Sequence, residues 1–131
     1  MGVARAAARR STCDRAQVGS VIVKENRILS TGYNGSPSGQ PHCLDVGHLM
    51  EDGHCIRTIH GEMNSVLMAA RHGVAIEGAK VYVTHFPCYH CLKSLVDAGI
   101  KEICYSQAYR IDAKVKRLAR GSKAVLRRVK E

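Results

Sequence analysis

The sequence predicts a three-layer α/β/α protein built on a mixed β-sheet. Three observations carry that expectation. A β-branched hairpin stands early in the chain, and it is followed by helix and strand patterns in alternation. Each of the two central helices begins at a cluster of potential metal ligands. No internal repeat and no linker interrupts the 131 residues, which suffice for one core, so a single domain spanning 1–131 is expected.

In chain order, Ala4 to Arg10 is rich in Ala and Arg and reads as a helix. Val18-Gly19-Ser20-Val21-Ile22-Val23 is apolar and β-branched, the pattern of a buried strand. Lys24-Glu25-Asn26 is a polar turn, and Arg27 to Tyr33 returns as its partner strand. Asn34-Gly35-Ser36-Pro37-Ser38-Gly39 is a dense turn signal that opens a loop reaching about Thr58. Loops that long are usually functional or stapled by metal. Met63, Val66, Leu67 and Ala70 recur at helical spacing after His60, and Gly73 ends that run. Val81 to Thr84 reads as a strand, residues 88–98 as a helix closed by Gly99, and Ile103 to Tyr105 as a further strand. Asp112 is placed to cap a helix ending at Gly121, while Ala124 to Val129 fits either strand or helix.

Charge is distributed unevenly. The chain carries a formal +9, and residues 110–131 hold nine Lys/Arg against Asp112 and Glu131, leaving only +2 elsewhere. The excess belongs to a basic C-terminal segment, read first as a solvated helix face; nucleic acid is not expected as a partner. No stretch is apolar enough to span a membrane, and the chain start lacks an apolar leader. Together with six cysteines at metal-like spacing, this points to a reducing cytoplasm rather than a disulfide framework.

The chemistry is concentrated in His60-Gly61-Glu62 and Pro87-Cys88-Tyr89-His90-Cys91, with 24 residues between Glu62 and Pro87. Alone, Cys-x-x-Cys divides between redox and metal roles. In this order the two segments form the His-x-Glu…Pro-Cys-x-x-Cys signature of zinc nucleobase deaminases. Catalytic zinc takes three protein ligands and leaves a fourth position open; His60, Cys88 and Cys91 supply the three. Both ligand segments fall at helix starts, where the dipole favours thiolate. Glu62 is then the acid/base rather than a ligand.

With these segments placed, the chain from about Cys13 to Arg110 resembles the deoxycytidylate (dCMP) deaminases of the cytidine deaminase superfamily. The resemblance rests on Arg15 to Val23, Gly32 to Gly39, Arg57 to Asn64, and Tyr82 to Cys88. It implies a cytidine deaminase-like fold, a zinc cofactor, and hydrolysis of dCMP to dUMP in the supply of thymidylate. It implies that Asn34 holds the deoxyribose and Asn64 shapes the pocket behind Glu62. Arg15, Tyr109 and Arg110 resemble phosphate-binding positions, and His85 either touches the phosphate or covers the pocket. It further implies a homo-oligomer, often a hexamer, with dCTP and dTTP as effectors; Arg71 resembles a position tied to that control. Gly61 departs from the usual Ala, which predicts a looser helix start by about 0.5–1 kcal/mol. The competing readings are a tRNA or other nucleobase deaminase, or a non-catalytic zinc module. The Asn34 loop speaks against the first and Glu62 against the second.

Cys13, Cys43 and Cys55 are thiols that the first cluster does not use, and His48 and His54 lie among them. Cys43 to Cys55 brackets a polar stretch with little apolar content to order it. A second, structural zinc on Cys13, Cys43, His48 and Cys55 would fix it, as in some members of the resembled family. His54 adjoins Cys55, which makes joint ligation awkward and favours His48. Free buried cysteines are the alternative. Cys104, on an apolar strand, reads as a core residue.

Overall fold

A computed structural model describes residues 1–108 and 110–130. The framework is a five-stranded sheet of β1 (Gly19–Lys24), β2 (Arg27–Tyr33), β5 (Lys80–His85), β6 (Glu102–Gln107) and β7 (Val125–Arg128), in the order β2-β1-β5-β6-β7. β1 runs antiparallel to both β2 and β5, while β5, β6 and β7 are parallel. A mixed sheet results because a two-residue turn joins the first pair, whereas helical crossovers join the last three. At that turn Glu25 and Asn26 both adopt positive φ, 52° and 61°, the conformation that matches strand twist.

Among the described residues, five helices accompany the sheet: α1 (Gly2–Ala8), the short α2 (Cys43–Val46), α3 (Gly61–Arg71), α4 (Tyr89–Asp97) and α5 (Ala113–Gly121). Side chains alternate across a strand, so adjacent positions report opposite faces. An ideal Cβ on Gly19 would meet α1 at Ala4 O, 1.8 Å away, whereas Ser20 Oγ bonds Ser65 Oγ of α3 at 3.0 Å. Thus α1 covers one face and α3 the other, which makes the three layers. The main core lies on the α3 side, where Ile22, Val81, Val83 and Ile103 pack with Leu92, Leu95 and Val115.

α3 sits unusually close to the hairpin. Small residues stand at that contact: Ser20 Oγ bonds Ser65 Oγ, and a Cβ on Gly32 would lie 2.3 Å from Ser65 N. Ser30 Oγ donates to Ser65 O at 2.7 Å, and Ser65 Oγ donates to Glu62 O at 2.7 Å. These bonds fix the first turn of α3 against the sheet.

The long loop closes on itself through a bridge between Gly35 and Ile59, which brings Asn34 beside the residue before His60. Within it, α2 and a small hairpin, β3 (Met50–Glu51) and β4 (His54–Cys55), supply structure that periodicity did not predict. The elements are too short for a 3.6- or 2-residue pattern to register. Ala124 to Val129 resolves as strand β7, with Leu126 half-buried between exposed Val125 and Arg127. The helix expected at 88–98 begins one residue later, since Cys88 is its N-cap. Among the described residues, no helix is long and apolar enough to cross a membrane.

Candidate active site

His60 and Cys88 are the N-caps of α3 and α4, both in extended backbone conformation. Their neighbours Glu62 and Cys91 follow in the first helical turns. His60 Nδ1 lies 3.6 Å from Cys88 Sγ and 3.4 Å from Cys91 Sγ. A tetrahedral zinc with the usual Zn–S and Zn–N lengths has ligand–ligand edges of about 3.6 Å, so the three side chains fit that ion without rearrangement. The Cys91 N–H also points at Cys88 Sγ, 3.5 Å away, a donor that favours thiolate. Cys88 is lowered to about 4, first by the side-chain hydrogen bond with the Cys91 thiol and then, against burial, by His60. That same bond, with burial, pushes Cys91 up. Glu62 is 4% exposed, and burial raises its carboxyl above the ordinary range, the kind of perturbation that clusters at functional sites.

These groups open into a cavity of about 1040 Å³, at the upper end for small-molecule sites. Asn34, Arg15, His85, His90 and Arg110 line it together with His60, Glu62 and Cys88. Asn34 is 6% exposed, and most of its amide is already used. Its Oδ1 accepts from Val18 N at 2.8 Å, and its Nδ2 donates to Ala16 O. One amide hydrogen remains for a ligand. Asn64 does not line the cavity: its Oδ1 accepts from Tyr33 N at 3.1 Å and ties α3 to the end of β2. Arg15 Nη2 donates to Gly53 O at 3.2 Å, at the tip of the β3–β4 hairpin. Arg110 lies at the rim with a positive φ of 51°. Tyr109 lies outside the described residues. Arg71 is exposed in the last turn of α3, at the far end from Glu62.

The second expected group also assembles. One ligand atom from each of Cys13, Cys43, His48 and Cys55 lies within 4.8 Å of the others. Cys43 Sγ and Cys55 Sγ are 3.5 Å apart, as are Cys13 Sγ and His48 Nδ1. His48 turns Nδ1 to the thiols while its Nε2 lies 3.1 Å from Asp14 Oδ1, the carboxylate–histidine arrangement that orients metal-binding imidazoles. Burial lifts Cys43 to about 12; in Cys55 burial also pushes upward, but hydrogen bonds from the backbone of Arg57 and Leu49 and from Cys43 and His48 together bring the thiol down to about 6. The donor set fits zinc. His54 instead faces the cavity. Asp14 escaped the sequence reading, although its place beside Cys13 was a signal.

Comparison with known proteins agrees with this geometry. The family model for the cytidine and deoxycytidylate deaminase zinc-binding region matches residues 1–107. ComE operon protein 2 of Bacillus subtilis (strain 168) is 52% identical over 101 residues, covering 77% of this chain and 53% of that protein. Deoxycytidylate deaminase of Enterobacteria phage T4 is 36% identical, covering 76% of this chain and 71% of that one. The chain thus spans about half the length of the Bacillus protein. Among solved structures, dCMP deaminase from the cyanophage S-TIM5, in complex with dCMP and dUMP, superposes with a TM-score of 0.84 at 30% identity, over 98% of this chain and 92% of that one. With the family model covering both ligand segments and the fold closed around them, the chain belongs to the cytidine and deoxycytidylate deaminase zinc-binding family.

Proposed function

We propose that this chain is a zinc-dependent hydrolytic deaminase that converts dCMP and water to dUMP and ammonia. The observation that carries this reading is the convergence of His60, Cys88 and Cys91 on one point of a cavity that also holds buried Glu62. Zinc held by the three ligands supplies Lewis acidity and brings the pKa of a water toward neutrality. Glu62 takes a proton from the attacking water and gives it to the ring nitrogen N3. The water oxygen adds to C4; Glu62 next takes the second proton from the resulting C4 hydroxyl and delivers it to the amino group, which leaves as ammonia as the C4 carbonyl forms. The remaining Asn34 amide hydrogen binds a sugar oxygen, and Asn64 acts from outside the cavity by holding Glu62's helix on β2. Arg15 and Arg110 offer guanidinium forks to the phosphate, with Tyr109 as a further contact.

Cys13, Cys43, His48 and Cys55 hold a second, structural zinc that orders the loop forming one wall of the cavity. Homo-oligomerisation, with dCTP and dTTP as effectors, belongs to the same proposal. Exposed Leu44, Val46, Leu49 and Met50 around the second cluster support an assembly contact. Ammonia release from dCMP, CMP, deoxycytidine and dCTP tests the function. The expected order puts dCMP well above deoxycytidine, and equal turnover of the two would reject the nucleotide assignment.

A further inference from the structure

His85, at the end of β5, lines the cavity without belonging to either ligand cluster. Its Nδ1 lies 2.8 Å from Thr84 Oγ1, and Gly19 N donates to that same oxygen at 3.1 Å. Thr84 is 3% exposed, and its hydroxyl makes no other hydrogen bond among the described residues. A threonine hydroxyl has one hydrogen and two acceptor sites. Gly19 occupies one acceptor site. Were Nδ1 also a donor, the hydroxyl hydrogen would have no acceptor in a buried place, a costly arrangement. The satisfied arrangement has Thr84 donating to a bare Nδ1. A neutral imidazole with a bare Nδ1 carries its proton on Nε2. That nitrogen has no protein partner among the described residues, yet it is not sealed from solvent. Burial also lowers the affinity of His85 for a second proton.

We propose that Gly19 and Thr84 lock His85 as a neutral Nε2–H tautomer, making it a fixed donor to an acceptor oxygen of the bound nucleotide. The oxygen belongs to the phosphate or to the sugar, and the experiment separates the two. Thr84 is a positioning residue, since it acts through His85. The claim rests on the deaminase reading only for the identity of the ligand; the tautomer stands or falls without it.

Long-range 1H–15N spectra of zinc-loaded, 15N-histidine-labelled protein read the tautomer directly. A bare Nδ1 with a protonated Nε2 is expected, retained in Thr84→Ser and lost to a mixture in Thr84→Val. A protonated Nδ1 in the unaltered protein overturns the lock. Should Thr84→Val fail to fold, the unaltered protein and Thr84→Ser still decide the point. Addition of dCMP should shift the His85 Nε2 resonance. In kinetics, His85→Ala should lower kcat/KM for dCMP by about tenfold, the worth of one buried hydrogen bond, with partial recovery in His85→Gln. Loss for dCMP but not deoxycytidine assigns a phosphate oxygen; equal loss for both assigns a sugar oxygen. No loss for either, with an unmoved resonance, overturns the donor role. A protein with the expected tautomer and dCMP shift but no deamination would instead reject the deaminase reading alone.

Discussion

Gly32→Ala tests how tightly the catalytic helix is seated. Gly32 lies on β2 beneath α3, and a Cβ built there would stand 2.3 Å from Ser65 N, 2.4 Å from Gly61 O and 2.9 Å from Ser65 Cα. All three are backbone atoms of the helix start, so no side chain can swing aside. Ordinary contact needs about 3.5 Å, which forces α3 off the sheet by about 1 Å. Overpacking of this kind costs about 3 kcal/mol, the upper end of the usual range, because the Ser20–Ser65 and Ser30–Ser65 bonds stretch with it. For a chain of this length that lowers Tm by about 10 °C. Glu62 rides on the displaced turn, and with the proton role proposed for it a shift of about 1 Å lowers kcat about 100-fold. Thermal unfolding of zinc-loaded protein and steady-state deamination of dCMP measure both effects. Gly2→Ala is the control, since its Cβ meets nothing within 4 Å. A Gly32→Ala variant with unchanged Tm and kcat would refute the close seating of α3.

Gly61→Ala should bring no stability gain, despite the usual preference for Ala in helices. Its Cβ would lie 3.0 Å from Val18 O, and Val18 is clamped to Asn34 at both its N–H and its carbonyl. A Tm rise of several degrees would contradict this. Cys43→Ser should leave one zinc per chain instead of two by metal analysis and lower Tm by about 10 °C or more; unchanged metal content would rule out the second site. Glu102 joins Lys80 of β5 at 2.9 Å and Arg127 of β7 at 2.6 Å. Lys80, then Arg127, holds its carboxyl below the ordinary range against some burial. A depressed carboxyl contributes stability above its unfolded pKa and loses it as pH falls through the folded value. Glu102→Gln should therefore be less stable than the unaltered protein at pH 7, with the two curves converging below about pH 4. Parallel curves would discard the linkage.

Strands β1, β2, β5 and β6, the three long helices and the two ligand clusters are legible because each leaves a local mark: β-branched runs, helical spacing, capping residues, and thiols at metal spacing. Asp112 accepting from Lys114 N at 2.8 Å is one such mark realised. What stayed hidden is set by tertiary approach. Gly61 reads as a helix weakness from sequence, yet in space it is the residue that lets Val18 and Asn34 pass close to the helix start. Arg15 reads as a phosphate ligand, and the structure adds its bond to the hairpin tip at Gly53. Asn64 reads as shaping the pocket behind Glu62, and the structure adds that its Oδ1 accepts from Tyr33 N at the end of β2. The β3–β4 hairpin has only two residues per strand, too few for periodicity, and Asp52 and Gly53 at positive φ are its one sequence signal.

The proposed deamination turns on Glu62 as the proton carrier beside a three-ligand zinc. The measurement that tests it most directly is ammonia release from dCMP by Glu62→Gln, with bound zinc counted in the same preparation. Gln keeps the shape and cannot take up the proton, so zinc should remain at the level of the unaltered protein while the rate falls by about 10²–10⁴. A variant that retains both zinc and turnover would contradict the assignment.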